Sequence, residues 1–215
     1  MVSSPSKTPM RIWTKDGETL QTRPVAHEVP VVFEYNCVTF AVMMASPSDL
    51  IDYSYGFSLT EGIIDKPSDI IYAQIKEAPK GKVAAIEINA RAFHRLEKYN
   101  RKLSGRTGCG LCGVEKLEQA IIPLEKVVSD LKVAPKTVHT AMQNIKSHQV
   151  LNKETGALHA AAFVNTDGEI TAIREDVGRH NALDKLIGHM MQNDIDPAKG
   201  FVLITSRCSF EMVQK

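Results

Sequence analysis

Apolar and polar residues alternate along 29-VPVVFEYN-36 and 37-CVTFAVMM-44, the period of half-buried strands. With 11-RIW-13 and an Asp16-Gly17 turn ahead of them, they predict antiparallel strands joined by tight turns. Ser46-Pro47 then opens a predicted helix through 48-SDLIDYSYGFSL-59, with proline near its first turn and Gly62 past its end. Two more strands, 70-IIYAQIKE-77 and 82-KVAAIEIN-89, flank a turn from Pro79 to Gly81. Arg91 to Leu103 reads as a basic amphipathic helix with a solvated face. Strands with a helix between hairpins predict a small α+β roll over 11–103.

The pattern changes in the second half. The stretch 120-AIIPLEKVVSDLKVAPK-136 has no sustained period, and 104–135 reads as a glycine-rich loop and linker. A helix follows at 137-TVHTAMQNIKSHQ-149, then a strand at 158-LHAAAFVN-165 and an Asp167-Gly168 turn into 169-EITAIRE-175. Leu183, Leu186, Ile187 and Met190 fall at i, i+3, i+4 and i+7, one helical stripe. The uninterrupted apolar run 201-FVLIT-205 predicts a central strand buried on both faces. A further helix is expected to start near Ser206 and run into Lys215. Strands alternating with helices predict an α/β layer structure over 136–215. A central strand so near the end leaves little to cover it, so this domain is expected to be incomplete at its C-terminus.

Composition narrows the class. Charged residues are 24% of the chain, hydrophobic ones 43%, and the formal net charge is +1. That balance gives no case for general capture of nucleic acid or membrane. The start, MVSSPSKTPMRIW, lacks the apolar core of a signal peptide, and no stretch approaches a membrane span. Four cysteines without such a signal predict a protein of the reducing cytoplasm.

The candidate chemistry sits in 104-SGRTGCGLCGVE-115. Cys109 and Cys112 are two residues apart, surrounded by Gly105, Gly108, Gly110 and Gly113, with Arg106 three residues before Cys109. The thiolate is the reactive form of cysteine. Backbone N–H groups of a glycine-rich turn form a concave anion site, so such a loop would favour a thiolate or a persulfide sulfur. Three other readings stand beside sulfur carriage. A thioredoxin-type dithiol normally opens a helix directly after a strand, whereas here a helix is predicted to precede the pair. Half a zinc site would need His159, His180 or Cys208 to complete it. Incidental thiols in a structural loop would not require a pair.

Several long segments are together similar to the formate dehydrogenase accessory sulfurtransferase family. They are 29-VPVVFEYN-36, 43-MMASPSDLIDYSYGFSLTEGII-64, 105-GRTGCGLCGVE-115, 156-GALHAAAF-163, 174-REDVGRHNALDKLIG-188 and 205-TSRCSFEMVQK-215. The resemblance implies an N-terminal α+β domain and a C-terminal α/β domain of cytidine-deaminase-like type. It implies a sulfurtransferase that takes persulfide sulfur from a cysteine desulfurase and passes it to the molybdenum cofactor, bis-molybdopterin guanine dinucleotide, for formate dehydrogenase. The family's persulfide-carrying cysteine falls on Cys109 and its second loop cysteine on Cys112, with no permanent metal expected. The resemblance is compatible with a homodimer, although the sequence shows no self-complementary surface. A cofactor-binding chaperone, with the loop as a lid or metal site, is the alternative.

Zinc deamination does not fit these residues. It uses H-x-E followed later by P-C-x-x-C, whereas 159-HAA-161 has alanine in place of glutamate and the C-x-x-C comes first. The motif 174-REDVGRHN-181 lies at a predicted strand-to-helix junction, where ligands of α/β sheets gather. A phosphate-bearing cofactor would suit Arg179 and the backbone near Gly178, with His180 and Asp176 orienting polar edges. Equally, Asp176 could cap the helix and Arg179 pair with a carboxylate. His159 is expected to line the cavity, and Ser206 and Arg207 are weaker candidates for the same pocket. Cys37 is expected in the core and Cys208 in a buried helix.

Overall fold

The computed structural model describes residues 6–103 and 127–215. Strands β1 (Ser6–Thr14) and β2 (Gly17–Val25) form a separate antiparallel hairpin. β3 (Val29–Tyr35) and β4 (Val38–Ala45) form the next hairpin, as their alternation predicts. Its two-residue loop, Asn36-Cys37, has φ of 48° and 67°, as a type I′ turn requires. Cys37 is therefore exposed on a turn rather than buried in the core, because the strand pattern breaks at that residue.

Helix α1 (Leu50–Thr60) begins four residues later than Ser46-Pro47 suggests. Ser46 to Ser48 form a loop, and Asp49 adopts a left-handed conformation just ahead of the helix. β5 (Ile70–Ala78), β6 (Gly81–Ile88) and α2 (Ala90–Leu103) complete this half. The sheet order is β4-β3-β6-β5, with β3 and β6 parallel and the other pairs antiparallel. Its inner residues Val31, Phe33, Tyr35 and Ile86 pack with Tyr53 and Phe57 of α1 and with Ala92 and Leu96 of α2. The Phe33 and Phe57 rings stack with centroids 4.3 Å apart.

The second half contains α3 (Pro135–His148), α4 (Val150–Thr155), β7 (His159–Asn165), β8 (Ile170–Asp176), α5 (Arg179–Gln192), β9 (Gly200–Ile204) and α6 (Phe210–Gln214). Its sheet order is β8-β7-β9, antiparallel throughout. α5 covers one face through Leu183, Leu186 and Met190, and α3 supports the other through Ala141 and Ile145. Among the described residues β9 is an edge strand with Val202 45% exposed, so FVLIT is not the central strand. That place belongs to β7, whose alanines let helices approach on both faces. α6 starts at Phe210 rather than near Ser206, and Cys208 is exposed on the connection before it, not in a buried helix.

Helices α1 and α5 join the halves. A Cβ on Gly56 would lie 1.7 Å from the Asp184 carbonyl oxygen, and one on Gly188 would lie 1.8 Å from that of Asp52. Only glycine permits so close a crossing. The layers therefore run four-stranded sheet, α1, α5, three-stranded sheet, α3.

Candidate functional site

Packing α1 on α5 brings two strand-to-helix junctions together, Ser46–Asp49 after β4 and Asp176–Gly178 after β8. Asp176 is fully buried between them. One of its oxygens accepts from the Gly178 amide at 2.8 Å and Asn181 Nδ2 at 2.9 Å. The other accepts from the Ser46 amide at 2.9 Å and Lys185 Nζ at 2.6 Å. Lys185, also fully buried, donates to the Ser46 carbonyl at 2.9 Å. Ser46 Oγ accepts from the Val177 amide at 3.2 Å. Asn181 donates to the Met44 carbonyl and accepts from the Tyr53 hydroxyl at 2.7 Å.

This hub fastens one half to the other. A buried ion pair adds little net stability over an apolar pair, but removing one partner costs about 3–5 kcal/mol because it strands the other charge. Asp176 does not cap α5: the N-cap is Gly178, and no side chain caps the helix. Its carboxylate faces the two loops and not solvent.

The outward side of the junction carries Arg179 and His180. His180 Nε2 lies 3.1 Å from Glu211 Oε2 on α6, and Arg179 Nη2 lies 3.9 Å from the same oxygen. Burial holds the His180 pKa below its ordinary value, and the Arg179 and Lys215 charges add to that while Glu211 opposes it. Arg179 Nε is buried and has no hydrogen-bond partner among the described residues. The first turn of α5 has no side-chain cap, so its N–H groups, which are of the kind that bind anions, lie beside the Arg179–Glu211–His180 cluster.

The other predicted residues lie nearby to differing degrees. His159 is half-buried at the start of β7, directly across the ladder from Asp176. Ser206 Oγ donates to the Arg207 carbonyl at 3.1 Å, and Arg207 is exposed on the β9–α6 connection. Cys109, Cys112, Arg106, Gly108, Gly110 and Gly113 lie outside the described residues. Among the described residues, no three His, Cys, Asp or Glu side chains come together as a metal site.

Sequence reasoning missed Ser46, Asn181, Lys185 and Glu211. Lys185 lies within the apolar helix segment, and its serine partner is 139 positions away, so no local spacing links them. A second buried cluster was equally silent. Asp184 accepts from Thr60 Oγ1 at 2.8 Å and from Lys215 Nζ at 2.5 Å. Burial raises its carboxyl pKa, while Lys215 works against the rise.

Comparison with known proteins defines the class. Residues 26–215 match the model of the FdhD/NarQ family. A protein of Bordetella petrii named Sulfur carrier protein FdhD is 46% identical over 199 residues, covering 93% of this chain and 72% of the relative. A protein of Cupriavidus necator with the same name is 45% identical over 203 residues, covering 94% and 70%. A crystal structure from Desulfotalea psychrophila, described as a candidate formate dehydrogenase accessory protein, has a TM-score of 0.71. It covers 98% of this chain and 78% of its own at 21% identity, which bears on the fold alone. The chain belongs to the FdhD/NarQ family.

Proposed function

We propose that this chain is a sulfur carrier serving formate dehydrogenase. The observation that carries the reading is its 46% identity, over 93% of its length, to a relative named a sulfur carrier protein. The cysteine pair at 109 and 112 supports it, since a carrier needs a nucleophilic sulfur. In this reading Cys109 thiolate attacks the outer sulfur of a cysteine desulfurase persulfide. The desulfurase cysteine leaves as a thiolate, and Cys109 holds a persulfide.

Delivery then uses Cys112. Its thiolate attacks the inner sulfur, forming a Cys109–Cys112 disulfide and releasing the outer sulfur as sulfide with the bonding electron pair. The substrate that takes up this sulfur is the molybdenum cofactor in its bis-molybdopterin guanine dinucleotide form. A cellular thiol returns two electrons to the disulfide before the next round. Arg179 Nε, unpartnered among the described residues, and the α5 N-terminus without a side-chain cap support the choice of a phosphate-bearing substrate. The reading places the protein in the cytoplasm.

The test is formate dehydrogenase activity in cells lacking their own carrier. The parent chain restores activity, Cys109→Ala leaves it at background, and Cys112→Ser abolishes repeated turnover. Full activity with Cys109→Ala would contradict sulfur carriage and favour a chaperone that only binds the cofactor. Full repeated turnover with Cys112→Ser would remove the disulfide step and leave direct transfer from Cys109.

A further inference from the structure

A small cavity lies where the β4–α1 loop meets α4, and it carries an unexplained hydroxyl. Ser48 is 4% exposed, and its Oγ is buried with no hydrogen-bond partner among the described residues. Buried polar groups in folded proteins nearly always find a partner, from the chain or from ordered water. Ser48 also lines the cavity, together with Ser46, Thr155, His27, Leu151 and Leu158. The centre of a water-sized sphere can move through about 10 Å³ there. That is room for about one water molecule.

We propose that this cavity is a binding site for a single structural water held by Ser48. The polar chemistry of the wall selects water over an ion or a larger ligand. Ser46 Oγ already accepts from the Val177 amide, which leaves its proton to donate. Thr155 Oγ1 already donates to the Leu151 carbonyl at 2.9 Å, which leaves a lone pair to accept. Ser48 brings both capacities unused. A molecule that donates and accepts fits this set, and among the described residues the lining holds the imidazole of His27 but no lysine, arginine or carboxylate. The apolar Leu151 and Leu158 form the rest of the named wall.

The water has a mechanical consequence. Ser48 belongs to the loop whose Ser46 accepts from the Val177 amide through Oγ and donates its own amide to the Asp176 carboxylate. Thr155 and Leu151 belong to α4, where the Leu151 and Asn152 amides hold the buried Glu175 carboxylate at 2.8 Å. A water bridging Ser48 to Thr155 thus braces the β4–α1 loop, whose Ser46 bonds Asp176 and Val177, against α4.

Ser48→Ala tests the assignment by the sign of its effect. Ser48 makes no side-chain hydrogen bond among the described residues, so there the substitution changes only the relation of its hydroxyl to the cavity. If the water is bound, the variant removes one of its anchors and lowers the melting temperature, by about 2–4 °C for a chain of this size. If the cavity is dry, the parent holds a stranded hydroxyl, and deleting it leaves the melting temperature unchanged or raises it. Crystal structures of both forms at high resolution supply a second reading. The parent should show one water within hydrogen-bond distance of Ser48 Oγ, lost or displaced in the variant. An unchanged or raised melting temperature, or a parent hydroxyl with no water beside it, overturns the proposal.

Discussion

Arg174 spreads its guanidinium over three acceptors. Nε reaches Asp52 Oδ2 at 2.6 Å, Nη1 the Ile173 carbonyl at 2.7 Å and Nη2 the His189 Nδ1 at 2.6 Å. Asn193 Nδ2 lies 3.1 Å from that same ring nitrogen, so His189 Nδ1 faces two donors and must itself accept. Burial, and then the Arg174 charge, hold the His189 pKa below its ordinary value, against the pull of Asp52 and Asp49. In the unfolded chain the ring protonates near pH 6.5. Between the two values the unfolded chain holds a proton that the folded chain lacks, so acid weakens the fold. This contribution is complete above about pH 6.5 and is lost as pH falls toward the folded value. The urea midpoint of the parent should therefore drop between pH 7.5 and 5.5, with a His189 share of no more than about 1.4 kcal/mol per pH unit. His189→Gln keeps an acceptor but does not titrate, and its midpoint should drop less. Equal drops would contradict the assignment. None of this was legible in the sequence, where Asp52 and His189 are far apart. The two described cysteines show the same limit. Cys37 sits in an apolar alternation yet falls on a turn, and Cys208 precedes its helix instead of joining it.

The elements were read with more success, and the errors have physical causes. Alternation found β3 through β6, and the helical stripe found α5, because one buried face imposes its period on the sequence. FVLIT misled because an apolar run reports apolarity, not position in a sheet; β9 pairs only with β7 among the described residues. Nothing marked Gly56 or Gly188 as a crossing, since a glycine in a helix gives no clue to what approaches it. The crossing makes a definite demand. Gly188→Ala should destabilise the protein by about 3 kcal/mol, the upper end of the usual overpacking cost, as calorimetry or denaturant titration would show. The Gly56→Ala/Gly188→Ala double variant should cost less than the sum of the singles, since both strain the same contact and the helices separate only once. Additive costs would mean that the two glycines act at independent places.

The molecule as a whole is a stack in which α1 and α5 are shared inner layers. The sequence shows two regimes of pattern, but nothing in it shows how the two sheets are fastened to one another. The side-chain hydrogen bonds that join the halves link residues 122 to 155 positions apart, among them Arg174–Asp52, Tyr53–Asn181, Ser46–Asp176, Lys185–Ser46 and Lys215–Thr60. The motif 174-REDVGRHN-181 therefore has two sides. Asp176 and Asn181 hold the halves together, while Arg179 and His180 face outward beside Glu211. In the proposed reading, that division leaves the cysteine pair as the chemical centre of the carrier. The most direct test is to incubate the purified chain with a cysteine desulfurase and cysteine, weigh it intact, and map the modified peptide. A gain of one sulfur atom on the Cys109 peptide, absent from Cys109→Ala, is the expected result. No gain on that peptide, from a desulfurase that is active and a chain that still binds the cofactor, would contradict sulfur carriage.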